Sequence, residues 1–111
     1  MLEYLFANKN VERVLMYLSL HGKANASELS RSFGSSLDPI QKTLRKLEEG
    51  GLLVSFLEGR TRVFQWNPRY LFLAEIRALA ERAYQHIPPR IQEAQYQSIK
   101  RKRPRKTGKP L

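Results

Sequence analysis

At 111 residues the chain is long enough for one compact domain and an appendage, so one core is expected rather than two. Twenty Lys and Arg against 10 Asp and Glu give a formal net charge of +10, which points to polyanionic partners. Cysteine is absent, which excludes disulfides and thiolate metal sites, and no apolar run approaches the roughly 18 residues of a membrane span.

Met1-Leu-Glu-Tyr-Leu-Phe has no basic segment ahead of an apolar one, so a cytoplasmic location is expected. From Asn8 to Leu20, Val11, Val14, Leu15 and Leu18 recur at i, i+3, i+4 and i+7. This spacing predicts a helix that Asn8 caps and Gly22 closes.

A shorter helix is predicted after Asn25, with Glu28 at the acidic position of a capping box and Ala26, Leu29 and Phe33 facing inward. Gly34 then permits a sharp turn. The third helix is predicted over 36–49, with Leu37, Ile40, Leu44 and Leu47 as its buried stripe and Gly50-Gly51 as its stop. Its cap is Ser36 or Asp38, Ser36 being preferred, and Pro39 falls in the first turn, where no intrahelical bond is lost.

Leu52 to Leu57 and Thr61 to Trp66 are β-rich runs around Glu58-Gly59-Arg60, which reads as a hairpin ended by Asn67-Pro68. Tyr70 to Ile87 returns to helical spacing and stops at Pro88-Pro89; a further turn or two is expected between Arg90 and Ile99. Seven of the 20 cations lie in the last twelve residues, so a flexible electrostatic tail is expected there. Arg103-Pro104-Arg105 resembles a minor-groove hook but has Lys102 at its glycine position, which favours a sequence-blind arm for DNA or RNA.

The order helix, helix, glycine turn, helix, hairpin is that of a winged helix-turn-helix, mainly α with a small β-hairpin. The expected division is a domain over 1–87, with an additional C-terminal helix, and a Lys/Arg-rich tail over 88–111. On the third helix the stripe leaves Asp38, Gln41, Lys42 and Arg45 on the opposite side. Gln41 suits adenine and Lys42 or Arg45 suits guanine in a major groove, each good pairing being worth about 1 to 3 kcal/mol of discrimination.

Arg60 and Arg62 sit at the hairpin tip, where a wing meets phosphates or a minor groove. Phe64 and Trp66 share a strand face and are expected in the core. The expected DNA-binding set is therefore Ser36, Asp38, Gln41, Lys42, Arg45, Arg60 and Arg62, with Lys100, Arg101, Lys102, Arg103, Arg105 and Lys106 from the tail.

The segments LFANKNVERVLMYLSLHG, ASELSRSFG, IQKTLRKLEEGGLL and LEGRTRVFQWNP resemble the ArsR-like winged-helix regulators of bacteria and archaea over about residues 5 to 87. Among these the chain is most similar to small regulators encoded beside, or fused to, minimal nucleotidyltransferases. The resemblance implies a dimer whose outer helices pack together, a reader helix carrying Asp38, Gln41, Lys42 and Arg45, and a wing carrying Arg60 and Arg62. Metal-sensing members use cysteines or paired histidines and acids. Here His21 and His86 stand far apart and no metal or cofactor is expected, with His21 placed at a helix C-terminus where the dipole favours it.

The apolar stripe of the last predicted helix is wider than so small a domain needs. Leu5, Phe6, Phe72, Leu73, Ile76, Leu79 and Ala83 are thus expected to form a dimer surface. Two-fold docking would set the reader helices about 34 Å apart on an inverted repeat. No phosphate loop, HExxH or Gly-x-Ser-x-Gly motif occurs, so no enzyme is expected. The reading is a homodimeric regulator of transcription acting on double-stranded DNA, with repression its expected mode. The alternative is an interaction module that holds a partner such as a nucleotidyltransferase and touches nucleic acid through its tail.

Overall fold

The computed structural model describes residues 3–6 and 8–97. Its elements run α1 (Glu3–Phe6), α2 (Lys9–His21), β1 (Lys23–Asn25), α3 (Ala26–Phe33), α4 (Leu37–Glu49), β2 (Leu53–Glu58), β3 (Thr61–Trp66), α5 (Leu73–Gln85), α6 (Pro89–Ile91) and a π-helical segment, Gln92–Gln97.

Local polar chemistry sets the helix ends. The Asn8 side chain accepts from the Asn10 N–H at 2.7 Å and opens α2, whose Val14, Leu15 and Leu18 are buried. At α3 both halves of a capping box are present: Asn25 accepts from the Glu28 N–H at 2.9 Å, and Glu28 accepts from the Asn25 N–H at 3.0 Å.

The turn from α3 to α4 rests on Gly34, whose φ of 61° a side chain would resist. The Ser35 N–H returns to the Ser30 carbonyl and the Gly34 N–H to Arg31, the two bonds of a Schellman motif. The Ser30 hydroxyl donates to the Ser35 carbonyl, and Arg13 of α2 reaches the same turn, donating to Ser35 Oγ at 3.4 Å with its guanidinium over the Phe33 ring. Side chains and carbonyls of α2 and α3 thereby brace the turn from which α4 leaves.

Ile40 and Leu44 are fully buried beneath α4 and Leu47 is partly so, as their spacing predicts. Leu37 departs from that expectation at 42% exposed, because it lies in the first turn, before the helix reaches the core. Gly50-Gly51 ends the helix, with the Leu52 N–H returning to the Leu47 carbonyl.

The hairpin joins a third strand that the sequence reading did not include. The antiparallel order is β1-β3-β2, with Lys23 opposite Gln65 and Asn25 opposite Val63 on one side, and Leu53 opposite Trp66 and Glu58 opposite Thr61 on the other. Alternation puts Ala24, Leu53, Phe64 and Trp66 on one buried face. The same face continues past the core toward the tip as Ser55 and Arg62. Asn67 closes the sheet's far end by donating to the Gly51 carbonyl at 2.8 Å.

Helix α5 lies against α2 and buries Ala80 and Ala83 there. Ala83, expected on a dimer surface, is therefore consumed inside the chain; its small side chain suits close helix contact. The turns expected after Pro88-Pro89 are present as α6 and the π-helical segment, and they pack on the body. Tyr96 is 3% exposed, with its ring centroid 5.3 Å from those of both Phe33 and Tyr84. His21 Nε2 donates to the Tyr96 carbonyl at 2.6 Å while the imidazole lies against Tyr17. Burial pushes the Tyr96 phenol above its ordinary range, and the nearby Glu12 carboxylate adds to the shift. Packed chain thus extends to Gln97, past the boundary expected at residue 87.

Candidate nucleic-acid interface

Helix α4 divides its outer surface between two concavities. The larger, about 570 Å³, lies between α4, the first turn of α3 and the β2–β3 hairpin. Gln41, Arg45 and Glu48 face it from α4, at the i, i+4 and i+7 positions of one stripe. Arg60, Thr61 and Arg62 face it from the hairpin, and Ser27 from α3. Leu44 and Phe64 form its apolar floor.

The second concavity, about 440 Å³, lies on the other flank of α4 and is lined by Asn8, Asn10, Pro39, Lys42, Lys46 and Glu49, with Thr43 below and Arg45 on the shared ridge. Asp38 and Lys42 meet on this flank, Oδ2 to Nζ at 3.3 Å, each with about 70% of its side chain exposed. Such a pair is weak in stability terms, but its charges largely cancel at a distance.

Asp38, Gln41, Lys42 and Arg45 are thus all exposed, yet the structure separates them. Gln41 and Arg45 open on the larger cleft with Arg60 and Arg62, whereas Lys42 opens on the other flank beside Asp38. Ser36 caps α4 by position; its side chain makes no capping hydrogen bond. Lys100, Arg101, Lys102, Arg103, Arg105 and Lys106 lie outside the described residues.

The hairpin tip is shaped by Gly59, whose φ of 64° permits a two-residue connection between Glu58 and Thr61. Behind the tip Lys23 of β1 donates to Glu58 Oε2 at 2.7 Å and lies near the Phe56 ring. Two cleft residues are joined through β2: Ser55 donates to Glu48 Oε2 at 2.6 Å and accepts from Arg62 Nη1 at 3.0 Å.

Three cleft residues, Ser27, Glu48 and Thr61, were missed from sequence, as was Ser55, which bonds two cleft residues from β2. Glu48 was within reach, since it continues the spacing of Gln41 and Arg45. Ser27, Ser55 and Thr61 carry no pattern that separates them from capping or strand residues; tertiary placement brings Ser27 and Thr61 into the cleft and Ser55 against its Glu48 and Arg62.

Of the other surface expected to be covered, Phe72 is 54% and Leu5 70% exposed. Phe6, Leu73 and Ile76 pack partly against the core, and Leu79 is half-buried. Leu71, not among the expected residues, is the most exposed large apolar side chain there, at 81%. Among the described residues no group of acids and histidines could hold a metal ion, and no helix is long and apolar enough to cross a membrane.

Comparison with known proteins bears on this geometry through structure alone. No family model matches the chain, and neither does any curated protein. The crystal structure of the adhesin competence repressor AdcR from Streptococcus pyogenes is similar to it with a TM-score of 0.55, over 99% of this chain and 90% of that one. The fold is a winged helix-turn-helix. Sequence identity to that structure is 16%, so what is shared is the winged helix-turn-helix architecture: a helix, α4, after the Gly34 turn, and a hairpin wing, β2–β3, beside it.

Proposed function

We propose that this winged helix-turn-helix protein is a sequence-specific regulator of transcription that binds double-stranded DNA. One observation carries the reading: Arg45, Arg60 and Arg62 line one exposed cleft with Gln41, between the helix that follows the glycine turn and the hairpin beside it. Major-groove base edges are read by amide and guanidinium forks at such spacing, and phosphates flanking the groove meet the wing. The similar structure from Streptococcus pyogenes is named a repressor, which agrees with repression as the mode proposed here. Within this class the reading keeps the ArsR-like resemblance of the sequence segments.

The protein acts as a homodimer through its outer apolar side chains, of which Leu5, Leu71 and Phe72 stay exposed in one copy. The basic residues from Lys100 onward add backbone contacts that raise affinity for any duplex. The rival reading, a module holding a nucleotidyltransferase, would use the same side chains and appear as a stable one-to-one heteromer.

The test is selection of bound sequences from random duplexes, followed by titration. Replacing Gln41 and Arg45 by Ala is expected to erase preference among sequences. Deleting residues 100–111 is expected to weaken binding to every duplex and to flatten the logarithmic salt slope, by about 4.5 units if five phosphates are neutralised. Equal loss of preference from both changes contradicts the roles proposed.

A further inference from the structure

The cleft holds an acid, Glu48, among its three arginines, and one serine stands between that acid and the wing. Ser55 lies on β2 opposite Phe64, so Arg62, two residues before Phe64 on β3, is its diagonal neighbour on the same face. Glu48 comes from the last turn of α4 and reaches the same hydroxyl. A hydroxyl has one proton to give. Since Ser55 donates its proton to Glu48 at 2.6 Å, it receives the Arg62 N–H at 3.0 Å through a lone pair, and the chain of bonds has a single sense: arginine to serine to carboxylate.

We infer that Ser55 is a positioning residue for duplex binding, holding Arg62 of the wing aimed into the cleft and tied to the reader helix through Glu48. The inference rests on the DNA-binding reading above. Its physical content is twofold. An exposed arginine loses rotamer freedom when it binds a phosphate, and an arginine already held by Ser55 has lost part of that freedom in the free protein. The hydroxyl also keeps guanidinium and carboxylate apart; with it removed, Arg62 closes directly on Glu48, which withdraws a cation from DNA, or is released to solvent and must be ordered again when it binds.

Five proteins test this: the chain itself, its S55A, S55T and R62A variants, and the S55A/R62A double variant that completes a cycle. In the free protein, the order parameter of the Arg62 Nε–H bond is expected to fall in S55A and return in S55T, which keeps a hydroxyl on a strand-compatible side chain. In duplex titrations S55A is expected to lose about fivefold in affinity and to lower the salt slope by about one unit, as R62A does. S55T stays within about twofold of wild type, and the double variant binds no more weakly than R62A alone.

Multiplying losses in the double variant, or an Arg62 order parameter unmoved by S55A, overturn the inference while leaving duplex binding intact. Absence of duplex binding by the wild-type chain overturns the underlying reading and the role of Ser55 together. Melting curves on every variant separate lost aim from lost fold: an S55A protein that loses affinity in proportion to its unfolded fraction refutes positioning.

Discussion

Polar groups are handled in opposite ways on the two sides of this molecule. In the cleft between α4 and the wing, Gln41, Arg45, Arg60 and Arg62 are exposed, and the cations outnumber the single acid, Glu48. Behind α2, Glu12 and Tyr96 are buried and the His21 ring is bonded to the Tyr96 carbonyl. The contrast separates two jobs that a list of charged residues would merge. Groups proposed to meet DNA are left solvated, whereas groups that fasten the C-terminal segment are satisfied inside the fold. Substitutions behind α2 should therefore change stability without touching affinity, and substitutions in the cleft the reverse.

The largest expected effect lies behind α2. Tyr96→Ala removes a ring packed between Phe33 and Tyr84, and should cost about 3 kcal/mol in urea unfolding. Duplex affinity, measured where the variant remains folded, should be unchanged. A parallel loss of affinity would mean that the segment carrying Tyr96 belongs to the binding surface, and the contrast would fail.

Arg45→Ala makes the complementary case. Its side chain is exposed on the ridge between the two concavities, so urea unfolding should move by less than about 0.5 kcal/mol. Affinity for a selected duplex should fall by about 1 to 3 kcal/mol, roughly ten- to a hundredfold, and preference at one base pair should relax.

A pH series sharpens the buried side. The Tyr96 phenol titrates above its ordinary value of 10.0 because burial, and then Glu12, disfavour the phenolate. The folded state thus holds this proton more tightly than the unfolded chain does. Its stabilisation is complete below about pH 10 and is lost as pH rises beyond that point. The stability advantage of wild type over Tyr96→Phe, followed by urea unfolding, should shrink above about pH 10; a constant difference would show that the phenol is not held in its neutral form.

The same contrast explains how far the sequence could be read. The helix-turn-helix was legible because its signals are local: Asn8 and Asn25 cap, Glu28 returns the capping box, Gly34 turns, and Ile40 and Leu44 keep helical spacing. The wing was legible for the same reason. What lay beyond reading depends on partners distant along the chain. Lys23-Ala-Asn is too short to show alternation and becomes a strand because β3 offers an open edge. Tyr96 sits in a Gln-rich, weakly periodic stretch and is buried by aromatic rings that only the fold collects. In the cleft, helical periodicity separates Asp38, Gln41, Lys42 and Arg45 from the core, but it does not divide them between two flanks, because that division is made by the wing.

The smallest expected effect probes that division directly. Asp38 and Lys42 form an exposed i,i+4 pair on the flank away from the wing, and removing the acid's charge by Asp38→Asn gives up a weak ion pair and one favourable charge in the first turn of α4. Stability should fall by no more than about 0.5 kcal/mol. Lys42 then faces solvent without a counter-charge, so affinity for every duplex should rise by about twofold, with the salt slope steeper by less than one unit. Preference among sequences should not change, because the residues proposed to read bases open on the other flank. If D38N instead alters the base chosen at one position, as loss of a carboxylate accepting from cytosine would, then the Asp38 flank reads sequence too and α4 presents one continuous reading face rather than two.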